Sequence, residues 1–160
     1  MSLALPSAPV IVRRSKIQGR GVFTTRAIAP DERIIEYTGR LITNDEADAQ
    51  CDDEAMRRHH TFLFGVDGRY TVDGAHGGNE ARYINHSCEP NCESVVEKRR
   101  VFIHAVRAIV AGEEIVYDYW YTTDGSYTLL DLQRIYPCRC GAPTCRGTLA
   151  RPPRRRRKAS

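Results

Sequence analysis

The chain has no hydrophobic run that approaches the length needed to cross a bilayer, and no internal repeat is evident. Positions 1–12 are mildly apolar but carry no basic leading region, which argues against a secretory signal. These absences set the expectation of an intracellular protein with no membrane partner. Acids are missing from one stretch. Positions 151–160 hold Arg151, Arg154, Arg155, Arg156, Arg157 and Lys158 and no carboxylate. The net charge of +4 is therefore local, because without those six the chain has 18 basic against 20 acidic residues. A slightly acidic body suits a basic partner, such as a Lys/Arg-rich protein segment. The basic tail, 150–160, contains Pro152 and Pro153 and is expected to be disordered. It reads either as a solvated tail or as a patch that contacts nucleic acid or serves nuclear localisation.

At 160 residues, 41% hydrophobic and 28% charged, the chain has the composition of one soluble globular domain with a real core. Its apolar residues fall in short alternating runs. Strands are expected at Val10–Val12 and Val22–Thr24 around a Gly19–Gly21 turn. Arg33–Tyr37 and Arg40–Ile42 read as a strand pair interrupted by Thr38-Gly39. Thr43 and Glu46 have the spacing of a capping box that opens a polar helix running to about Arg58. Phe62, Phe64 and Val66 lead through Asp67-Gly68, a hairpin turn dipeptide, to Tyr70 and Val72. A short helix is expected around Asn79–Tyr83, and a second hairpin from Ser94–Glu97 to Val101–Ala105 with Lys98–Arg100 at its tip. Arg107–Val110 and Glu114–Tyr117 read as strands around Ala111-Gly112, and Tyr127–Ile135 as a helical turn. Trp120, Tyr121 and Tyr127 either line a groove or pack. The fold class is α+β, mostly β.

Two clusters stand apart from this patterning. Asn79–Cys92 packs polar groups, a cation, an imidazole and two thiols into one segment without a helical or strand period, as a segment built to present ligands would. Cys138, Cys140 and Cys145 crowd within eight positions around Gly141 and Pro143. In an intracellular chain such crowding favours a metal over disulfides. Zinc in structural sites takes four ligands in a tetrahedron and accepts thiolates, so a fourth ligand is needed. Cys88 and Cys92 are both available for it. Cys51 reads as an ordinary small apolar residue, and His59, His60, His76 and His104 as surface or packing residues.

The motifs resemble those of the SET-domain lysine methyltransferases. Gly78-Asn79-Glu80-Ala81-Arg82-Tyr83-Ile84-Asn85-His86-Ser87-Cys88-Glu89-Pro90-Asn91 matches the family's core motif, and Gly112-Glu113-Glu114-Ile115-Val116-Tyr117-Asp118-Tyr119 its second. The 138–147 cysteine segment matches the post-SET cluster. Gly19-Arg20-Gly21-Val22-Phe23 and Glu36-Tyr37-Thr38-Gly39 match the opening. The four fall in the family's order and cover roughly Val10 to Leu149, in the pattern of members that methylate histone H3 tails.

The resemblance implies several small sheets and a pseudoknot, with the His86 segment threaded through a loop closed near Tyr119. It implies a SET domain over 10–121 with a variable helical insert at about 43–60, and a linker and zinc-bound post-SET segment over 122–149. No flanking module accompanies these, so a stand-alone enzyme is expected. The cofactors implied are S-adenosylmethionine and one structural Zn2+, with Cys88 as the fourth ligand beside Cys138, Cys140 and Cys145. Gln18, Gly19, Arg20, Gly21, Phe62, Asn85, His86 and Tyr119 are the matching donor-binding positions. Phe62 stands where many relatives have tyrosine. Tyr119, Tyr117 and Tyr37 match the lysine channel, with Tyr119 the catalytic tyrosine and Asp118 structural. The hydroxyl of Tyr117 leaves less room for a methylated product, so monomethylation is expected. The partner implied is a protein with an accessible lysine, such as a histone tail, and the location a nucleus or chromosome for a eukaryotic or host-directed protein and otherwise the cytoplasm. The competing reading is a non-catalytic zinc-stabilised module that binds basic peptide or nucleic acid.

Overall fold

The computed structural model describes residues 7–50, 62–123 and 125–151. Among them are ten strands, two α-helices and one 3-10 helix, arranged as three small sheets. In chain order the strands are β1 (Val10–Arg14), β2 (Arg20–Thr24), β3 (Arg33–Tyr37), β4 (Arg40–Thr43), β5 (Leu63–Gly65), β6 (Tyr70–Asp73), β7 (Asn85–His86), β8 (Cys92–Glu97), β9 (Arg100–Ala105) and β10 (Glu114–Tyr117). The sheets have the orders β1-β2-β10-β7, β3-β9-β8 and β4-β6-β5. Helix α1 spans Asn44–Gln50 and α2 spans Leu129–Ile135, and the 3-10 turn Glu80–Tyr83 precedes β7.

The core forms where the sheets face one another. Val22, Ile84, Val101, Ile103, Ile109 and Ile115 are all at most 1% exposed. Each such burial contributes about 1.5–3 kcal/mol, set against the entropy of ordering the chain. Local chemistry agrees with the elements. The Thr43 hydroxyl accepts from the Glu46 N–H and the Glu46 carboxylate accepts from the Thr43 N–H, so the expected capping box forms. The expected extension of α1 to about Arg58 lies outside the described residues. The β8–β9 turn places Lys98 and Arg99 at φ +48° and +63°, the left-handed pair that suits the strand twist. In the β5–β6 turn the Asp67 carboxylate accepts from the N–H groups of Arg69 and Tyr70.

Three expectations are corrected. β3 and β4 do not pair; β3 joins β9 and β4 joins β6, so Thr38-Gly39 carries the chain from one sheet to another. A Cβ at Gly39 would lie 2.4 Å from the Asp73 carbonyl oxygen, so only glycine fits that crossing. Arg107–Val110 is not a strand, and only Ile109 bridges, to Ile28.

An internal repeat does exist. Arg26-Ala27-Ile28 followed by Glu32 recurs as Arg107-Ala108-Ile109 followed by Glu113. In each copy the arginine donates to the next residue's carbonyl and to the glutamate, whose second oxygen accepts from the backbone N–H of Ala29 or Val110. Asp31 and Gly112 occupy the same place in the two turns with φ of +64° and +83°. The copies close on one another. Asp31 N–H donates to Ala105 and Ala105 N–H to Glu32, while Gly112 N–H donates to Thr24 and Thr24 N–H to Glu113. The unit is short and its apolar content slight, so it escapes inspection of the sequence.

Segment 85–86 is carried to the later motif by a parallel pairing, Asn85 opposite Val116 and His86 opposite Tyr117. Asn91, 2% exposed, locks that region: its carbonyl accepts from Val116 N–H at 2.9 Å and its amide donates to the Glu114 carbonyl at 2.8 Å.

Candidate active site and metal centre

The thiols of Cys88, Cys138, Cys140 and Cys145 converge with all four sulfurs within 4.8 Å of one another. Cys88 Sγ lies 3.8 Å from Cys138 Sγ and 3.9 Å from Cys145 Sγ. Disulfide sulfurs would be about 2 Å apart. Four sulfurs placed about 2.3 Å from a central zinc in a tetrahedron would be about 3.8 Å apart, so the set fits that ion. Burial raises the Cys140 thiol, but backbone N–H groups of Cys88 and Ala142 and the neighbouring thiols outweigh it, and it falls to about 7. Cys92, the alternative fourth ligand, is 1% exposed within β8 and outside this group. Burial pushes its thiol up to about 12, which makes it an inert core residue.

The cysteine segment is bound to the core by more than thiols. Arg146 donates to both oxygens of Asp118 at 2.7 and 2.9 Å and to the carbonyls of Leu149 and Ala150. Burial raises the Asp118 carboxyl, yet the Arg146 hydrogen bonds outweigh it and hold the group below its ordinary range. Helix α2, capped by Thr128 and Asp131, buries Leu132 beneath Thr148 and presents Gln133 to the Arg146 carbonyl.

A cavity of about 700 Å³ is lined by Tyr37, Phe64, Ile84, Tyr117, Tyr119 and Tyr121, among others. Ring centroids run in a chain: Tyr37–Phe64 at 5.4 Å, Phe64–Tyr117 at 6.0 Å, Tyr117–Tyr119 at 5.2 Å and Tyr119–Tyr121 at 5.6 Å. Tyr117 and Tyr119 arrive together because alternate residues of an extended segment share a face. Tyr119 Oη donates to the Ile84 carbonyl at 2.6 Å, and Tyr37 Oη to the Phe62 carbonyl at 2.8 Å. Burial raises all three hydroxyls well above the ordinary tyrosine value. In the same wall, Arg82 Nε is buried without a hydrogen-bond partner among the described residues.

A second, smaller pocket of about 40 Å³ is lined by Gln18, Asn85, His86, Tyr119 and Cys138 among others, so Tyr119 borders both spaces. The Asn85 amide donates to the carbonyls of Gln18 and Arg20 and to Glu114 Oε1. His86 Nδ1 accepts from the Tyr119 N–H at 3.0 Å, which leaves the ring proton on Nε2, 3.4 Å from Cys88 Sγ. Burial pushes the imidazole down to about 4, against the pull of Asp118, so the ring is neutral and the carboxylate's ionic partner is Arg146. Arg20 reaches the Tyr83 hydroxyl, and Tyr83 stands edge-on to Phe62 at 5.7 Å.

Contacts therefore join Gln18, Arg20, Phe62, Asn85, His86 and Tyr119 into one continuous patch. Phe62, Gly19, Arg20 and Gly21 are not among the residues lining the small pocket. A Cβ on Gly21 would lie 2.2 Å from Glu114 Oε1, so that glycine is required by a carboxylate of the protein itself. Glu114, Arg146 and Asn91 carry much of the site's architecture, although only their motif positions pointed to them; their partners are distant in the chain.

The fold and site define the class. The SET domain family matches residues 19–120, and the chain belongs to that family. It is 37% identical over 147 residues to the "Histone-lysine N-methyltransferase, H3 lysine-4 specific" of Saccharomyces cerevisiae, covering 88% of this chain and 13% of that protein. It is 39% identical over 142 residues to human "Histone-lysine N-methyltransferase 2B", covering 84% of this chain and 5% of the relative. It is 39% identical over 139 residues to "Histone-lysine N-methyltransferase trithorax" of Drosophila virilis, covering 84% and 3%. The chain thus spans only a small part of the length of these relatives.

Proposed function

We propose that the chain is an S-adenosylmethionine-dependent protein-lysine methyltransferase acting on a basic protein segment such as a histone tail, at chromatin. One observation carries the reading: Tyr119 stands between the small pocket at Asn85–His86 and the large aromatic cavity, where two reactants would meet. Residues 10–121 form the catalytic unit in this reading, and 122–149 the post-SET segment whose zinc is held by Cys88, Cys138, Cys140 and Cys145.

The donor's carboxylate, ammonium, adenine and sulfonium need a cation, polar groups, flat rings and electron-rich surroundings. Arg20, the backbone and amide groups of Gln18–Gly21 and Asn85, the ring of Phe62, and the His86–Tyr119 corner supply these types. When bound, the donor supplies an electrophilic methyl group on sulfur. The chain's own residues do the rest. A channel of tyrosine and phenylalanine rings disfavours the ammonium form of lysine and holds the amine neutral. Positioning provides much of the rate. The Tyr119 hydroxyl, its proton committed to the Ile84 carbonyl, presents oxygen lone pairs to the amine N–H. It stays neutral, so it orients the amine, and the released proton leaves to solvent through the cavity. The Tyr117 hydroxyl narrows the space around the nitrogen and favours one methylation.

Two measurements test this. Titration of metal-replete protein with S-adenosylmethionine, followed by transfer of labelled methyl to mixed histones, should give binding and incorporation; absence of both leaves only the zinc-stabilised binding module. Tyr117→Phe should raise the fraction of di- and trimethylated product, and an unchanged distribution removes the product assignment.

A further inference from the structure

We propose that the exposed face of Trp120 is a subsite for an arginine guanidinium of the protein substrate, and that Arg151 occupies it in cis until a substrate arginine displaces it. The inference rests on the lysine-methyltransferase reading and gives that site a residue preference beside the acceptor lysine.

Trp120 is fixed at the rim of the aromatic cavity, which it lines together with its chain neighbours Tyr119 and Tyr121. Its N–H donates to Asp118 Oδ1 at 3.0 Å, and both oxygens of Asp118 are held in turn by Arg146. The backbone at Trp120 is left-handed, φ +55°, an unfavourable conformation for a large side chain. That conformation leaves the tryptophan 48% exposed, directly after the tyrosine that orients the acceptor amine. A half-exposed ring adds little to the core, but its face attracts cations.

A guanidinium already lies on that face, with Arg151 Cζ 3.1 Å from the ring centroid. The Arg151 backbone is delivered there independently of its side chain. Ala150 bridges in parallel to Tyr121, and the Arg151 N–H donates to the Tyr121 carbonyl at 2.7 Å. Arg20, Arg33, Arg82, Arg99 and Arg100 also stack on rings, and the side chain of each donates in addition to a hydroxyl, a carbonyl or a carboxylate. Arg151 differs: among the described residues its guanidinium touches only the ring, and the residue is exposed. An exposed contact of this kind is weak and can be exchanged for an equivalent one without moving the backbone. The flat guanidinium suits the ring better than a compact ammonium does. An extended substrate with its lysine at Tyr119 advances about 3.3 Å per residue, so an arginine within about three positions of that lysine is the one that meets Trp120.

Trp120 is the chain's single tryptophan, so its fluorescence reports the subsite directly. The probes are alanine-rich peptides with one lysine and one arginine, the arginine moved through the three positions on either side. Each is paired with a citrulline version that keeps the planar shape and loses the charge. With the full, metal-replete chain and S-adenosylmethionine, arginine should lower KM by about 2- to 5-fold relative to citrulline at one or more positions, with the same kcat. The same arginine peptides should change the Trp120 emission. Arg151→Ala should widen the arginine-to-citrulline ratio by about the same factor, because nothing then has to be displaced. Trp120→Leu should erase the ratio and Trp120→Phe should keep part of it, both judged on protein whose thermal midpoint matches the parent's. Equal KM for arginine and citrulline at every position, an unchanged ratio in Arg151→Ala, or Trp120 emission that ignores arginine peptides overturns the proposal. Absence of methyl transfer to histones and peptides alike overturns the methyltransferase reading itself, and the emission change then decides by itself whether Trp120 takes a guanidinium.

Discussion

A hydroxyl in an apolar cavity is useful to an amine only while it keeps its proton arrangement. Tyr119 meets that condition because burial raises its ionisation and the Ile84 carbonyl holds its proton. Replacing Tyr119 by Phe leaves the ring contacts to His86, Tyr117 and Tyr121 and removes the oxygen. The expected cost is about 10² in kcat with donor affinity retained, measured by single-turnover transfer and calorimetry. An equal loss of donor affinity would place the hydroxyl in donor binding instead. Burial also sets the pH response. Tyr37 and Tyr119 titrate higher folded than unfolded, where tyrosine titrates near about 10. Their neutral forms therefore support the fold below that pH, and this support is lost as pH rises above it. Tyrosinate absorbance should accordingly lag behind the free-tyrosine curve until the chain unfolds. No tyrosine inflection should appear in the rate profile below about pH 10.

At the scale of elements, the site depends on β10 being held from both sides. Its edge nearest Asn85 is parallel and only two residues long, a weak ladder by itself. The buried Asn91 amide compensates by taking the Val116 N–H and the Glu114 carbonyl. Asn91→Ala would leave two buried backbone groups without partners, at a cost of about 1–3 kcal/mol each. Denaturant unfolding should show that loss together with reduced activity. A stability change within a few tenths of a kcal/mol would mean that water replaces the amide. The paired Arg26–Glu32 and Arg107–Glu113 turns secure the ends of β2 and β9 in the same reciprocal manner, each turn bonding the strand that leads into the other.

At the scale of the molecule, four thiols from distant parts of the chain converge on one candidate zinc site. Cys88 belongs to the central motif, and Cys138, Cys140 and Cys145 to a segment some fifty residues later. Zinc held there would also be folding free energy for residues 138–151, of which Cys138, Arg139 and Leu149 line the small pocket with His86 and Tyr119. Metal analysis should find one zinc per chain, lost in Cys88→Ser and kept in Cys92→Ala. Chelation should lower the thermal midpoint and abolish activity. Retention of zinc in Cys88→Ser would remove Cys88 from the ligand set.

The sequence by itself determined the elements that rest on local chemistry: the capping box at Thr43, the hairpins at Asp67 and Lys98, the short turn after Asn79, and the thiol cluster at 138–145. It also determined the class, because the ordered motifs are specific. Only the tertiary structure decided which strands pair, since β3 and β4 carry the same alternation whether they meet each other or β9 and β6. The motif resemblance already named Cys88 as the fourth thiol where spacing left Cys92 open, and the structure agrees, gathering Cys88 with the cluster and burying Cys92 within β8. The structure alone revealed Glu114 behind Gly21, the reciprocal arginine turns and the position of Arg151 beside Trp120. Each of these depends on contacts between residues far apart in the chain, where no local periodicity leaves a trace.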